Sequence, residues 1–418
     1  MRTKVFCSAV TLGIVISFGL TSTSMAKTVT VDEDILKAMQ KQLAEQAKAI
    51  AKLQASLQEQ QAKLEKIPKI GETEHVAVVS HPGKSKIQVS LYGQVNKAVM
   101  FADDGNDSNT FFVDNDASST RFGIKALARP TGNMTTGAIL EMEYQTNPSN
   151  KVSMDDESLN EDFHVRKFFV YAQEKHLGKI SLGQASAVTD GIAEIDLSGT
   201  ALAGYSDGTI IGGGLSFFDD LSQSYSDTVV GAVFRDLDGG RYDLIRYDSP
   251  KVFGFSLAGS TGENDKNEIA LRYNQKFSIF KVAGGIGYAT EGNGSSHDDR
   301  LSGSLSVLCD NGFNVTFASG VRTENDPQRD DPFYLYGKIG YQFHAFNVGK
   351  TAFSIDYGSY QDFFLNNDDG TLFGGQAAQY FDDFGTQVYL GYRQMQLDQD
   401  LTSMSDIYAI IGGIRVKF

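Results

Sequence analysis

The chain has 418 residues, among them 43 Gly, 7 Pro, 28 Phe, 18 Tyr and no Trp, and a formal net charge of −15. That balance excludes nucleic acid as a general partner, because neutralising phosphates needs clustered Lys and Arg. Only residues 5–20 form a long apolar run, which also excludes a polytopic helical membrane protein.

The first element in chain order is an export signal. Arg2 and Lys4 precede the apolar run, and Ser24-Met25-Ala26 forms an A-x-A-like cleavage site, so residues 1–26 are expected to be removed. Cys7 leaves with them. Cys309 then stands alone and no intrachain disulfide is expected.

Residues 32–67 contain neither Gly nor Pro. Leu36, Leu43, Ile50, Leu57 and Leu64 occupy one heptad position, and Met39, Gln46, Leu53, Gln60 and Ile67 the other. A stripe of period 3.5 asks for a partner helix, so the spacing predicts a coiled coil within residues 27–70. The alternative is an amphipathic helix packed on its own domain. At 1.5 Å per residue the rod would be on the order of 50 Å long. Pro68 ends the pattern, and residues 71–86 read as a linker.

From residue 87 to 418 the period changes to two. Alternating segments lie near 87–101, 117–128, 134–146, 163–174, 179–185, 241–248, 255–262 and 267–277. They continue near 280–290, 300–309, 313–322, 333–343, 348–359, 373–381, 384–397 and 406–418. Short turns alternate with longer Asp-, Asn-, Gly- and Ser-rich connections, of which residues 186–240 are by far the longest. This pattern predicts an all-β fold, a 16-stranded antiparallel transmembrane barrel, since lipid cannot satisfy an open sheet edge. In the last segment Ile410, Gly412, Ile414, Val416 and Phe418 share one face, while Arg415 and Lys417 share the other. Tyr92, Tyr144, Tyr247, Tyr288, Tyr341 and Tyr392, near strand ends, are candidates for interfacial girdles.

Five motifs in order carry a family resemblance: Leu91-Tyr92-Gly93-Gln94-Val95-Asn96, then Asp114-Asn115-Asp116-Ala117-Ser118-Ser119-Thr120-Arg121-Phe122-Gly123. Gly178-Lys179-Ile180-Ser181-Leu182-Gly183-Gln184 and Arg246-Tyr247-Asp248-Ser249-Pro250 flank the longest loop, and Phe418 is terminal. Over residues 87–418 the chain resembles the trimeric general porins of Gram-negative outer membranes. The resemblance implies a homotrimer, an aqueous pore, and a third extracellular loop folded inward opposite a ladder of wall arginines. By motif position Arg121, Arg166 and Arg246 correspond to that ladder, and Lys125 shares the face of Arg121. Parity does not fix the face of Arg166, because Lys167–Tyr171 is a near-continuous apolar run. Asp190, Glu194 and Asp196 are the candidate loop acids, with Asp207 following. The alternative is that these arginines are solvated strand-end charges and these acids outward loop charges.

No metal site is expected, because the six His (75, 81, 164, 176, 297 and 344) share no ligand spacing and each reads as a turn or surface residue. Gly212-Gly213-Gly214 lacks a following Lys-Ser/Thr, and no Gly-x-Ser-x-Gly elbow occurs, so neither a cofactor nor an enzyme is expected. The expected function is passive diffusion of small hydrophilic solutes and ions across an outer membrane. Lipid and lipopolysaccharide would surround the barrel, with the coil in the periplasm and peptidoglycan within its reach. Two alternatives stay open: a substrate-selective channel for anionic solutes such as carboxylates, and a structural tether or adhesin anchored by the barrel.

Overall fold

Along residues 333–346 apolar side chains face outward and polar ones inward. Ile339 is 52% exposed, whereas the adjacent Lys338 is 2% exposed. Phe333, Leu335 and Tyr341 repeat the outward pattern, and Tyr334 and Tyr336 the buried one. Such inversion is costly in water and favourable where hydrocarbon surrounds the wall.

The computed structural model describes residues 87–418 except Asn293, and the backbone of residues 77–80. The expected signal segment and heptad stripe lie outside the described residues, as does most of the linker. Sixteen antiparallel strands close into one barrel. They are β1 (Ile87–Asp103), β2 (Ser108–Asp114 resuming as Arg121–Ala128), β3 (Met134–Gln145), β4 (Asp162–Glu174), β5 (Gly178–Ser186), β6 (Arg241–Asp248), β7 (Phe255–Gly262) and β8 (Asn267–Lys276). There follow β9 (Phe280–Thr290), β10 (His297–Cys309), β11 (Phe313–Glu324), β12 (Phe333–Phe346), β13 (Gly349–Gln361), β14 (Asp369–Phe381), β15 (Thr386–Asp398) and β16 (Ile407–Lys417). Closure is made by β1 against β16, from Gln94↔Lys417 to Asp103↔Tyr408. A short strand, Ala77–Ser80, pairs with β1 beyond the end of β16. No described helix is long and apolar enough to cross a membrane.

Two details depart from the sequence expectation. The first connection is not residues 102–116, between the segments expected near 87–101 and 117–128, but Asp104–Asp107, because Ser108–Asp114 forms the upper half of β2. Between the halves a short 3-10 turn, Asp116–Ser118, is capped by the Asn115 side chain, which accepts from Ala117 N. Tyr92 does not join an outward girdle either: its hydroxyl donates to Glu141 inside the barrel at 2.9 Å. Tyr247, Tyr288 and Tyr341 do face outward, exposed among the apolar wall residues.

The connection between β5 and β6 folds back into the lumen. Its first course runs round the inner wall and is pinned from one strand to the next. Arg246 donates to the carbonyls of Ser186 and Ala187, both at 3.0 Å. Arg272 donates to those of Val188, Asp190 and Gly191. Farther along, Ser304 Oγ bonds Ile192 O at 2.6 Å, Tyr380 OH bonds Gly199 O at 2.7 Å, and Tyr360 OH bonds Ser206 O at 2.6 Å. Asn115 Nδ2 finally reaches Leu202 O at 2.8 Å, back at β2. Two glycines permit this closeness: a Cβ at Gly391 would strike the carbonyl of Ala203, and one at Gly204 (φ +149°) the guanidinium of Arg393.

The second course rises to the loop end of the barrel as a hairpin, Ser216–Asp219 with Ser224–Val229, which lies against the first and last loops. One helical turn, Val230–Val233, returns it. The side chains of Ile210, Ile211, Leu215, Phe217, Val230 and Phe234 form an apolar core with Tyr334, Tyr360, Leu372, Met395 and Ile411 of the wall. The lumen is therefore filled with packed side chains along one side. A polar cavity lies along the other.

Candidate pore constriction

A cavity of about 660 Å³ beside the loop is lined almost wholly by charged and polar groups. The wall on one side supplies Arg121, Glu143, His164 and Arg166, with Arg241 at the end of the loop. The opposite wall supplies Glu291, His297, Arg300 and Arg322. The folded loop supplies Asp190, Glu194, Asp207, Arg235, Asp236 and Asp238.

A β-bulge explains how Arg166 enters this set. Glu141 pairs with Lys167 and Met142 with Val165, so Arg166 is the extra residue of β4. A bulge lets two successive side chains turn to one face. Arg166 accordingly pairs with Glu141 at 3.1 Å and with Glu143, while Lys167 reaches the same Glu141 at 3.5 Å. The parity that the sequence left unsettled is thus resolved by an inserted residue.

The loop acids sit close together on one side of the cavity. Burial pushes the carboxyls of Glu194 and Asp236 well above the usual range, and mutual repulsion with Asp207 and Asp238 adds to it. Asp238 is pushed up to about 6, chiefly by desolvation, although the backbone N–H groups of Gly191, Ile192 and Ala193 donate to it. Around the cavity Arg241 pairs with Asp190 at 3.1 Å, Arg300 with Glu291 at 2.6 Å, and Arg322 with Glu324 at 2.7 Å.

Of the residues singled out from the sequence, Arg121, Arg166, Asp190 and Glu194 line the cavity together. Arg246 does not: it holds the first carbonyls of the loop and pairs with Asp248 at 2.6 Å. Asp196 lies against the wall, where it pairs with Lys338 at 2.8 Å and accepts from Thr316 at 3.2 Å. Lys125 is on the face of Arg121, nearer the short-turn end of β2. His164 and His297, read as turn or surface residues, prove to line the cavity. Arg300 and Arg322 escaped the sequence reading, although they pair directly across β10 and β11. Two cations opposed on inward faces are unfavourable unless acids or solvent lie between them, and that register was a usable signal. Among the described residues no group of acids, His and Cys is arranged to hold a metal ion.

Several solved structures share the fold. An anion-selective porin from Comamonas acidovorans superposes with a TM-score of 0.54 at 15% identity, over 79% of this chain and 100% of its own. OmpT of Vibrio cholerae, an outer membrane protein, gives 0.52 at 14% identity over 82% and 100%. OmpF of Salmonella typhi gives 0.51 at 15% identity over 80% and 98%. No curated protein sequence matches the chain. A family model described as Gram-negative porin matches residues 75–400. With that match over most of its length, and a closed barrel with a charged cavity beside an infolded loop, the chain belongs to the Gram-negative porin family.

Proposed function

We propose that the protein is a trimeric, water-filled channel for passive diffusion of small hydrophilic solutes and ions across the outer membrane. The observation that carries this reading is the polar cavity between the infolded loop and the strand wall, with cations and acids on facing sides. In a constriction of low effective dielectric, opposed charges set up a transverse field that orients dipolar solutes and filters by charge. Arg121 and Arg166 on the wall, with Asp190 on the loop, act as this filter, and Glu194 adds its charge only when deprotonated. Arg241, Arg300 and Arg322 extend it on the remaining sides. Nothing in this reading calls for turnover, and the family and fold are those of channels.

The amino-terminal segment belongs to the same reading: residues 1–26 are removed on export, and residues 27–70 form a periplasmic coiled coil that supports trimer assembly. The coil also reaches toward peptidoglycan, and a pull-down with and without residues 27–70 tests that part. Single-channel recording of the folded protein in lipid bilayers tests the rest, with ohmic steps expected to close in three equal sublevels. One observation favours a more selective channel. The apolar core built by the loop takes up one side of the lumen, so solutes pass along one charged wall.

A further inference from the structure

We infer that Ser118, Arg121 and Arg415 form a binding station for small oxyanions, carboxylate or phosphate, on the pore wall. Three donors converge on one neutral atom there. Ser118 Oγ is approached by Gln94 Nε2 at 2.8 Å, Arg121 Nη2 at 3.2 Å and Arg415 Nη1 at 3.3 Å. A hydroxyl oxygen has two acceptor lone pairs and its own proton to place, so three donors exceed what it can satisfy. Arg415 Nε is buried and has no hydrogen-bond partner, and Nη2 is held by Gln387 at 2.8 Å.

Neither arginine has a carboxylate within ion-pair distance among the described residues. The nearest acids are already engaged. Glu141 is taken by Arg166, Lys167 and the Tyr92 hydroxyl, and Glu143 by Arg166. The wall therefore carries two guanidinium groups, from β2 and β16, with one neutral hydroxyl between them. Ser118 and Arg121 open directly onto the 660 Å³ cavity, so an anion crossing the constriction meets them without leaving its path. An oxyanion offers several strong acceptors to charged donors, which a serine cannot. The station gives the channel a preference for oxyanions over chloride.

This inference rests on the channel reading, and the experiment separates the two. Chloride current through single channels is recorded while inorganic phosphate is added. Phosphate is expected to reduce the current saturably. Arg415→Gln and Arg121→Gln should each raise the half-blocking concentration about tenfold, a change typical of losing one charge-assisted contact. Arg415→Lys should fall between them and the parent protein. Lys350→Gln, which removes a lumenal cation elsewhere, should have a much smaller effect. An open parent channel indifferent to phosphate overturns the station, and so does equal weakening by Lys350→Gln, which would mean a diffuse field. Absence of any current overturns the channel reading instead. Equilibrium dialysis of phosphate against the same folded proteins then decides the station, with binding lost in Arg415→Gln supporting it and no binding to the parent overturning it.

Discussion

Lys338 Nζ and Asp196 Oδ2 lie 2.8 Å apart, 142 residues from one another in sequence and both buried. The pair joins the middle of β12 to the first course of the infolded loop. Lys338 also donates to Gly204 O at 2.6 Å, so one ammonium holds two points of the loop. Removing one partner of a buried ion pair leaves an uncompensated charge and costs about 3–5 kcal/mol. Asp196→Asn is therefore expected to weaken loop docking by that order while the barrel stays folded. Hydrogen exchange should show faster exchange within residues 187–206 and unchanged protection in β12–β16.

Desolvation raises the Asp238 carboxyl to about 6. A group whose pKa is raised in the docked loop holds its proton there. Its contribution to docking is complete below about 4 and is lost as pH rises through about 6. Protonation also removes a negative charge from the constriction and leaves the wall arginines less opposed. Reversal potentials in a KCl gradient should move toward anion preference as pH falls, with a component centred near 6. Asp238→Asn should lack that component.

The bulge at Arg166 turns a cation onto two wall acids. Arg166→Gln leaves Glu141 and Glu143 less neutralised at the constriction. The permeability ratio should move toward cations by a factor on the order of two to three, roughly one kT of local potential. A ratio that does not move would place Arg166 outside the conducting path.

Phe234 is fully buried, and its ring centroid lies 5.2 Å from that of Tyr360 and 6.3 Å from that of Phe217. It is a loop residue packed on the wall. Truncation to Ala should cost about 3–5 kcal/mol of loop docking through lost contacts and a cavity. Limited proteolysis should then cut between residues 206 and 235 in the variant but not in the parent, with the heat-modifiable mobility of the barrel retained.

The strands were legible because period two and inverted polarity are local signals. Ile410, Ile414 and Val416 fall on the outward face and Arg415 on the inward one, as alternation requires. What escaped depends on contacts between distant residues. Ser108–Asp114 has polar residues at both ends and only the short run Phe111–Val113 between them, and its full extent as a strand comes from pairing with β1. The face of Arg166 follows from an inserted residue that alternation cannot register. Arg246 was legible as an inward cation, yet the loop carbonyls it holds are set by the course of the loop. Arg300 and Arg322 are brought together only by the cross-strand register, which local alternation does not encode. The apolar content of residues 210–234 read as loop composition, and its role as lumenal packing appears only once the wall is closed around it.

The most direct test is single-channel conductance of purified, heat-modifiable protein in planar bilayers of symmetric KCl. The account predicts stable, stepwise, ohmic openings closing in three equal sublevels. Folded protein that inserts into the bilayer and passes no measurable current would contradict it, because the infolded loop would then be a plug.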